Sequence, residues 1–375
     1  MALPSDRIFL RSPYYVSKER ANLDLIIVDL FVYTGTLTTD KPTDPNYRLQ
    51  SSAHLNASGN KYAEVDIAEL ARDYVSVTYD FTATDPTNAV WVEYDLYYAD
   101  SGALALTLDG SVQLTGINGY GYFEDGYNPD PTDTVFISTD YVIVPTGDSA
   151  LIPILQDYVT QWELYDTGTI SPSGLIETIT APATTENTAN VIDYVDTAST
   201  FGTPTFIRFS FSGGRGDKDI RIVYLDECEK DAIEGAFVNR FGAIQHFYLF
   251  GRADRTFTTN ETSFKSNLLD GEGSYDTKKH QTAILNKNGK TMISINTGWY
   301  PEDMNGMWKE MMLSETVWLN LPSKFLDFNA FKDLVVTAPV MVKSAAIKYK
   351  TRLRDKLIRY DFTFEFAADR INTVK

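Results

Sequence analysis

Near the carboxyl end, Ile358, Tyr360, Phe362, Phe364 and Phe366 alternate with Arg359, Asp361, Thr363 and Glu365. A period of two sends successive side chains to opposite faces, so the stretch predicts a strand with one dry face and one wet face. Just upstream, Ile347, Tyr349, Thr351 and Leu353 alternate with Lys348, Lys350, Arg352 and Arg354, and Asp355 separates the two runs. Together they predict a C-terminal antiparallel hairpin. The same grammar recurs earlier. Residues 24–33 are β-branched and aromatic and stop at Thr34-Gly35, and residues 89–99 form a second aromatic strand turned by Asp100-Ser101-Gly102. Asp109-Gly110 and Asn288-Gly289 each divide an alternating run. Both dipeptides predict two-residue hairpin turns, whose central positions favour φ > 0. The 23 Tyr and 21 Phe suit half-buried pleated surfaces.

Helical spacing is confined to two places. Asp66 to Glu69 resembles a capping box, followed by Ile67, Leu70, Ala71, Tyr74 and Val75 on one face. From Asp303, a stripe of Met304, Met307, Trp308 and Met311 predicts a second helix packed on a core. The fold expected is mainly β, a set of β-sandwich domains. At 375 residues, two or three domains are expected. The divisions drawn are 1–98 with the short helix, an acidic β domain over 99–222, and a sandwich plus helix over 223–375.

Charge is distributed unevenly. Residues 1–210 hold 9 Lys/Arg against 29 Asp/Glu, and residues 211–375 hold 24 against 22. Residues 73–207 contain 20 Asp/Glu and no Lys or Arg. Such a surface repels phosphate backbones and disfavours nucleic acid as a partner. It fits either a well-solvated face or docking on a basic surface of a neighbouring copy. The basic face Lys348, Lys350, Arg352, Arg354 and Arg359 is the matching candidate. No run approaches the ~20 apolar residues of a spanning helix, so membrane insertion is not expected. Cys228 is the lone cysteine, which excludes an internal disulfide. With no secretory layout at the amino terminus, synthesis in a reducing cytoplasm is expected.

Catalytic grammar is absent. His54, His246 and His280 stand in no metal or nucleophile motif, and there is no Walker loop, G-x-S-x-G, HExxH or dinucleotide fingerprint. Gly147-Asp148-Ser149 is similar to an esterase serine block, but the accompanying Asp-x-x-His is missing, so it is read as a turn at a strand end. Arg215-Gly216-Asp217 sits between strand-like runs and predicts a charged hairpin tip. No enzyme, metal or cofactor is expected. Loop 119–134 is the candidate for interaction. Tyr120, Tyr122, Phe123 and Tyr127 suit sugar stacking or a protein partner. Asp125, Asn128, Asp130 and Asp133 offer oxygen ligands for calcium, or simply make a solvated turn.

Several segments resemble virion proteins of tailed phages, including the crAss-like group and relatives infecting marine and Bacteroidota hosts. They are Asp226-Glu-Cys-Glu, residues 237–251 (FVNRFGAIQHFYLFG), Lys279-His-Gln, Asn296-Thr-Gly-Trp299, residues 313–318 (LSETVW) and residues 360–367 (YDFTFEFA). The order of elements in 282–366 further resembles the sandwich-plus-helix unit of phage tail tube, ring and baseplate proteins. The resemblance implies a structural tail component, made in the bacterial cytoplasm and assembled with copies of itself and other tail proteins. It carries no catalytic residue over. The alternative expectation is a receptor- or carbohydrate-binding adhesin that uses loop 119–134.

Overall fold

The computed structural model describes residues 7–37, 39–81, 89–102, 105–128, 135–155, 158–166, 169–181, 192–225, 232–267, 273, 277–322, 335–344, 346–348 and 356–369. Strands hold 55% of the described residues and helices 8%, so the chain is mainly β. It divides into two compact units: 1–226 with 236–247 and 306–314, and 227–235 with 248–305 and 315–375.

The first unit is built on a five-stranded sheet in the order Arg7–Phe9, Thr107–Ile117, Ala89–Asp100, Leu23–Tyr33, Tyr47–Ser52. Its faces obey the period of two. Ile26, Val28, Leu30 and Val32 join Val90, Val92, Tyr94 and Leu96 in one core, with Val16 and Ala63 of the three-stranded sheet and Ile67 and Ala71 of the short helix. Tyr33, Trp91, Ile117 and Phe9 form the other, against Phe136, Leu155, Ile192, Phe241 and Ala243. A second five-stranded sheet runs Leu175–Thr180, Val159–Tyr165, Phe206–Phe211, Lys218–Leu225, Tyr141–Pro145. Arg215-Gly216-Asp217 lies at its hairpin tip, with Arg215 4.2 Å over the Tyr158 ring.

The second unit carries a seven-stranded sheet. Its order is Ile244–Leu249, Ile233–Val238, Val317–Pro322, Val335–Val342, Asp361–Phe366, Thr282–Asn296, Ala253–Lys265. The chain passes between the units inside the first two of these strands.

Several expectations are corrected. A boundary at 98/99 would cut the ten-pair ladder between Ala89–Asp100 and Thr107–Ile117, so 1–98 and 99–222 are not separate domains. The Met/Trp helix forms as Asn305–Leu313, with Met307, Trp308 and Met311 buried, but 306–314 belongs to the first unit and not to a 223–375 domain. The helix expected after Asp66 is only Ala68–Arg72. Asp66 Oδ1 accepts from the backbone N of Ala68 and of Tyr14, both at 3.0 Å, so it ties the helix start to the residue that precedes the strand Tyr15–Arg20 instead of making the capping box.

Neither turn dipeptide turns the chain. Thr107–Ile117 runs straight through Asp109-Gly110, with Gly110 opposite Leu96 and Leu108 opposite Tyr97, so Asp109 is the extra residue of a bulge. The actual turn lies after Asp100, where Gly102 has φ +85°, as Asp100-Ser101-Gly102 predicted. Likewise Thr282–Asn296 continues through Asn288-Gly289, and Gly289 pairs with Thr259. A Cβ on Gly289 would lie 2.3 Å from the Phe257 ring, so the glycine is there to let an aromatic ring cover the strand.

The expected C-terminal hairpin is described only in part. Asp361–Phe366 is a strand with Phe362 and Phe364 buried, as its alternation predicts. Its described neighbours are Met292–Asn296 on one side and, over Phe364–Phe366, Val340–Val342 on the other, and most of the expected partner 347–354 lies outside the described residues. Residues 346–348 belong to no strand, and 349–355 lie outside the described residues.

Candidate interaction surfaces

The segment 119–128 is held at its start by close backbone approach. A Cβ on Gly119 would lie 2.4 Å from the Phe9 ring and 2.8 Å from the Arg240 carbonyl, so only glycine lets the chain pass. The next residues are fixed by hydrogen bonds: Tyr120 N donates to Arg240 O at 2.7 Å and Gly121 N to Ser12 Oγ at 2.8 Å. A single 3-10 turn, Phe123–Asp125, ends at Gly126 with φ +74°. Asn128 Nδ2 then donates to Pro13 O at 2.6 Å.

This path splits the expected aromatic set in two. Tyr120 and Tyr122 turn inward and meet edge to face, 5.8 Å between centroids. Arg11 lies 4.8 Å over Tyr120; Arg240 at 5.6 Å and Lys309 at 4.2 Å lie over Tyr122. Beneath them Glu310 is only 3% exposed. It accepts from Ser138 Oγ at 2.5 Å and from the Arg240 backbone N at 3.3 Å, and its carboxylate is 3.7 Å from Arg240 Nε. Burial pushes the Glu310 carboxyl above the ordinary range, against the hydrogen bonds that favour its charge. Burial and the nearby Glu310 also raise both phenols, Tyr120 to about 12. The two half-buried tyrosines therefore join three segments of the unit, and Tyr122 also lines the open cleft beside Phe123 and Tyr127.

Phe123 and Tyr127 are the outward pair, 100% and 69% exposed. They border an open cleft of about 480 Å3 whose other walls include Arg11, Pro13 and Asn128. Asp125 is exposed on the same turn, while Asp130 and Asp133 lie outside the described residues. Of the proposed calcium ligands only Asp125 and Asn128 are described, and the Asn128 amide is engaged with Pro13. Among the described residues no group of three or more His, Cys, Asp or Glu is placed to hold a metal.

Only part of the expected basic face is described. Lys348 is exposed, and Lys350, Arg352 and Arg354 lie outside the described residues. Arg359 precedes the strand Asp361–Phe366 and is exposed, its Nε donating to Asn296 Oδ1 at 2.6 Å while its guanidinium sits 5.8 Å from the centroid of the exposed Trp299 ring.

A surface missed in the sequence is the antiparallel ribbon of Ala253–Lys265 and Thr282–Asn296. Asp361–Phe366 pairs with it only over Met292–Asn296. From Phe257 and Thr291 outward the pairing among the described residues is two strands wide, to Lys265 opposite Thr282. At about 3.4 Å per residue this reach is roughly 27 Å. Every residue from Thr256 to Lys265 is exposed. Phe264 and Ile284, 48% and 52% exposed, stand on opposite faces, and Leu285, 71% exposed, is the extra residue of a bulge. The available signal was the Thr-rich run between Phe257 and Phe264, rich in strand formers yet lacking a clear alternation.

The remaining motif residues do not converge. Gly147-Asp148-Ser149 follows the strand Tyr141–Pro145 as a turn, with φ +98° at Gly147. His54 stacks edge-on against Tyr62, and His246 Nε2 is 2.8 Å from the Tyr79 hydroxyl. No protein-family model and no curated protein matches the chain.

Proposed function

We propose that this chain is a structural component of a bacteriophage virion tail, a ring, collar or baseplate-associated protein that works through subunit–subunit contacts and performs no catalysis. The resemblance of roughly residues 220–375 to virion proteins of tailed phages supplies the setting. The observation that carries the assembly reading is the ribbon Ala253–Lys265/Thr282–Asn296. An isolated two-stranded ribbon is only marginally stable in water, and a long exposed edge strand invites pairing. Proteins guard such edges with proline, inward charge or a cover. This one presents ten consecutive exposed residues with apolar side chains on both faces, an arrangement that association stabilises.

The test is light scattering coupled to size exclusion, with negative-stain images of the main peak. Closed rings or concentration-dependent growth support the reading, provided that Phe264→Ser combined with Leu285→Ser suppresses them while leaving the folded monomer intact. A chain that stays monomeric at every concentration counts against it. A second reading, a receptor- or carbohydrate-binding adhesin, is favoured by Phe123 and Tyr127 beside their cleft. Replacing these two with Ala abolishes glycan or cell binding under that reading and leaves assembly untouched under the first. Tyr122 is unsuitable for this test, because it is packed against Lys309 and Arg240.

A further inference from the structure

Resting on the assembly reading, we infer that the free edge of Ala253–Lys265 pairs antiparallel with the same edge of a second copy. A two-fold axis at Thr258, perpendicular to the sheet, relates the two strands, and the seven-stranded sheets of both copies join into one. A two-fold contact closes on two copies, so it joins subunits pairwise and leaves the rotation of a ring to another surface.

Hydrogen bonds within the chain decide which groups are left for a partner. Asn296 N donates to Arg252 O at 3.4 Å and Ser266 N to Gln281 O at 2.7 Å, so the hydrogen-bonded pairs of this ladder fall on the even residues of 252–266. The odd residues turn their N–H and C=O groups away from Thr282–Asn296, toward the edge. Among the described residues no strand lies beyond that edge, and the outward backbone groups of Phe257, Thr259, Glu261 and Ser263 meet no partner. The opposite edge of the ribbon is tied down by the chain itself. There Gly289 N donates to Asn288 Oδ1 at 2.7 Å, Asn288 Nδ2 to Asp369 Oδ2 at 2.9 Å and Lys290 Nζ to Glu365 Oε1 at 2.9 Å. One edge is occupied and the other is open.

The residues along the open edge make a second copy the fitting partner. Thr256–Asn260 is uncharged and free of proline, with Arg255 before it and Glu261 after it. An antiparallel copy reverses that order. Centred on Thr258, it sets Arg255 opposite Glu261 twice, Phe257 opposite Thr259 and Thr258 opposite itself, and the odd residues fall into hydrogen-bonded pairs. A centre at Thr259 would face Glu261 with Phe257, and one at Asn260 would face Arg255 with Lys265. Glu261 meets Lys287 at 3.2 Å through Oε2, and its Oε1 remains for the second copy. These exposed charges select the register and add little strength. The strength comes from about eight backbone hydrogen bonds, two for each of the pairs between Arg255 and Glu261. The bulge in the partner strand lies beyond Thr262, so the stretch that pairs is regular.

The experiment uses the full chain with Cys228→Ser, which removes the lone thiol. Single cysteines replace Thr256, Thr258 or Asn260, and each variant is oxidised at concentrations where the chain associates. Thr258 faces its own copy in a non-hydrogen-bonded pair, whose Cα separation of ~4.5 Å suits a disulfide. The expected result is a disulfide-linked dimer from Thr258→Cys and none from Thr256→Cys or Asn260→Cys alone. Mixing those last two gives a linked dimer of one copy of each, because Thr256 lies opposite Asn260. Thr259→Pro removes an outward N–H and no hydrogen bond within the chain. It leaves thermal unfolding of the dilute monomer unchanged and weakens self-association roughly tenfold or more. Links that form equally at all three positions, or association of Thr259→Pro at wild-type strength, overturn this pairing and leave the assembly reading standing. A wild-type chain that never associates overturns both.

Discussion

The ladder of Leu23–Tyr33 with Ala89–Asp100 runs for ten pairs and that of Ala253–Lys265 with Thr282–Asn296 for thirteen. They are built from the same residue types and end in opposite circumstances. The first is flanked on both edges by further strands and covered on both faces by a core. The second loses its flanking strand beyond Met292 and has no buried face along Thr256–Lys265. Strand propensity is satisfied equally in both. What differs is the apolar area removed from water, which is the larger stabilising contribution. The first ladder therefore carries fold stability, whereas the second is available for contact with something else.

The sharpest way to break that comparison is to remove one large aromatic from each ladder. Trp91 is fully buried and its Nε1 donates to Gly35 O at 2.8 Å. Trp91→Ala is expected to cost about 3–5 kcal/mol in urea unfolding of the first unit, from lost burial, a cavity and an unmet carbonyl. Phe264→Ala, on the exposed ribbon, is expected to change stability by no more than about 0.5 kcal/mol. Equal losses at the two sites would mean that the ribbon is a folding element and not a docking surface.

A smaller effect separates two glycines. Gly242 has φ +78°, and its Cβ would meet the Asn118 carbonyl carbon at 2.8 Å. Gly242→Ala is thus expected to destabilise by about 2 kcal/mol, since strain and a backbone clash combine. Gly289 also leaves no room for a Cβ, but the obstacle is the ring of Phe257, which is itself 53% exposed and free to swing. Gly289→Ala is expected to cost under about 0.5 kcal/mol. Thermal unfolding of the two variants side by side checks both values.

These glycines also show where the sequence was legible. Periodicity located the strands Leu23–Tyr33, Ala89–Asp100 and Asp361–Phe366 and the Met/Trp helix, because a covered face leaves its period in the residues that line it. Turn chemistry misled at Asp109-Gly110 and Asn288-Gly289. A glycine is equally required where a strand bulges or where an aromatic ring lies across it, and a dipeptide cannot distinguish these needs. Pairing was hidden as well. Asp361–Phe366 announces its buried face, but nothing local says that Met292–Asn296 and Val340–Val342 flank it. In the candidate loop the sequence found the aromatic cluster but not its division, because inward Tyr120 and Tyr122 differ from outward Phe123 and Tyr127 only through Arg11, Arg240 and Lys309, all distant in sequence. The ribbon strand Ala253–Lys265 was missed for the converse reason: a strand exposed on both faces has no alternation to read.

Each of the two ladders also holds a Glu that meets a lysine, and its surroundings decide the worth of the pair. Glu261 and Lys287 face one another across the ribbon at 3.2 Å, both half exposed. Such a pair contributes little, and Glu261→Gln is expected to change stability by a few tenths of a kcal/mol, about as for other exposed pairs. Glu93 on the covered sheet is only 9% exposed. It receives Lys41 Nζ at 2.6 Å, Gln113 Nε2 at 2.6 Å and the Tyr33 hydroxyl. Burial alone would raise its carboxyl, but Lys41, Tyr33 and Gln113 outweigh it and hold the group below its ordinary value. A carboxylate lowered on folding adds stability above its unfolded pKa of about 4.3, and that stability is lost as pH falls through the lower folded value. Glu93→Gln is therefore expected to cost about 1–3 kcal/mol at neutral pH, because Lys41 and the Tyr33 hydroxyl lose a charged acceptor. The loss shrinks on acidification, so the wild-type and Glu93→Gln unfolding curves should converge below pH 4. Curves that stay parallel through that range would show that Glu93 acts by packing alone, and the sheet and the ribbon would then differ in burial but not in the use they make of charge.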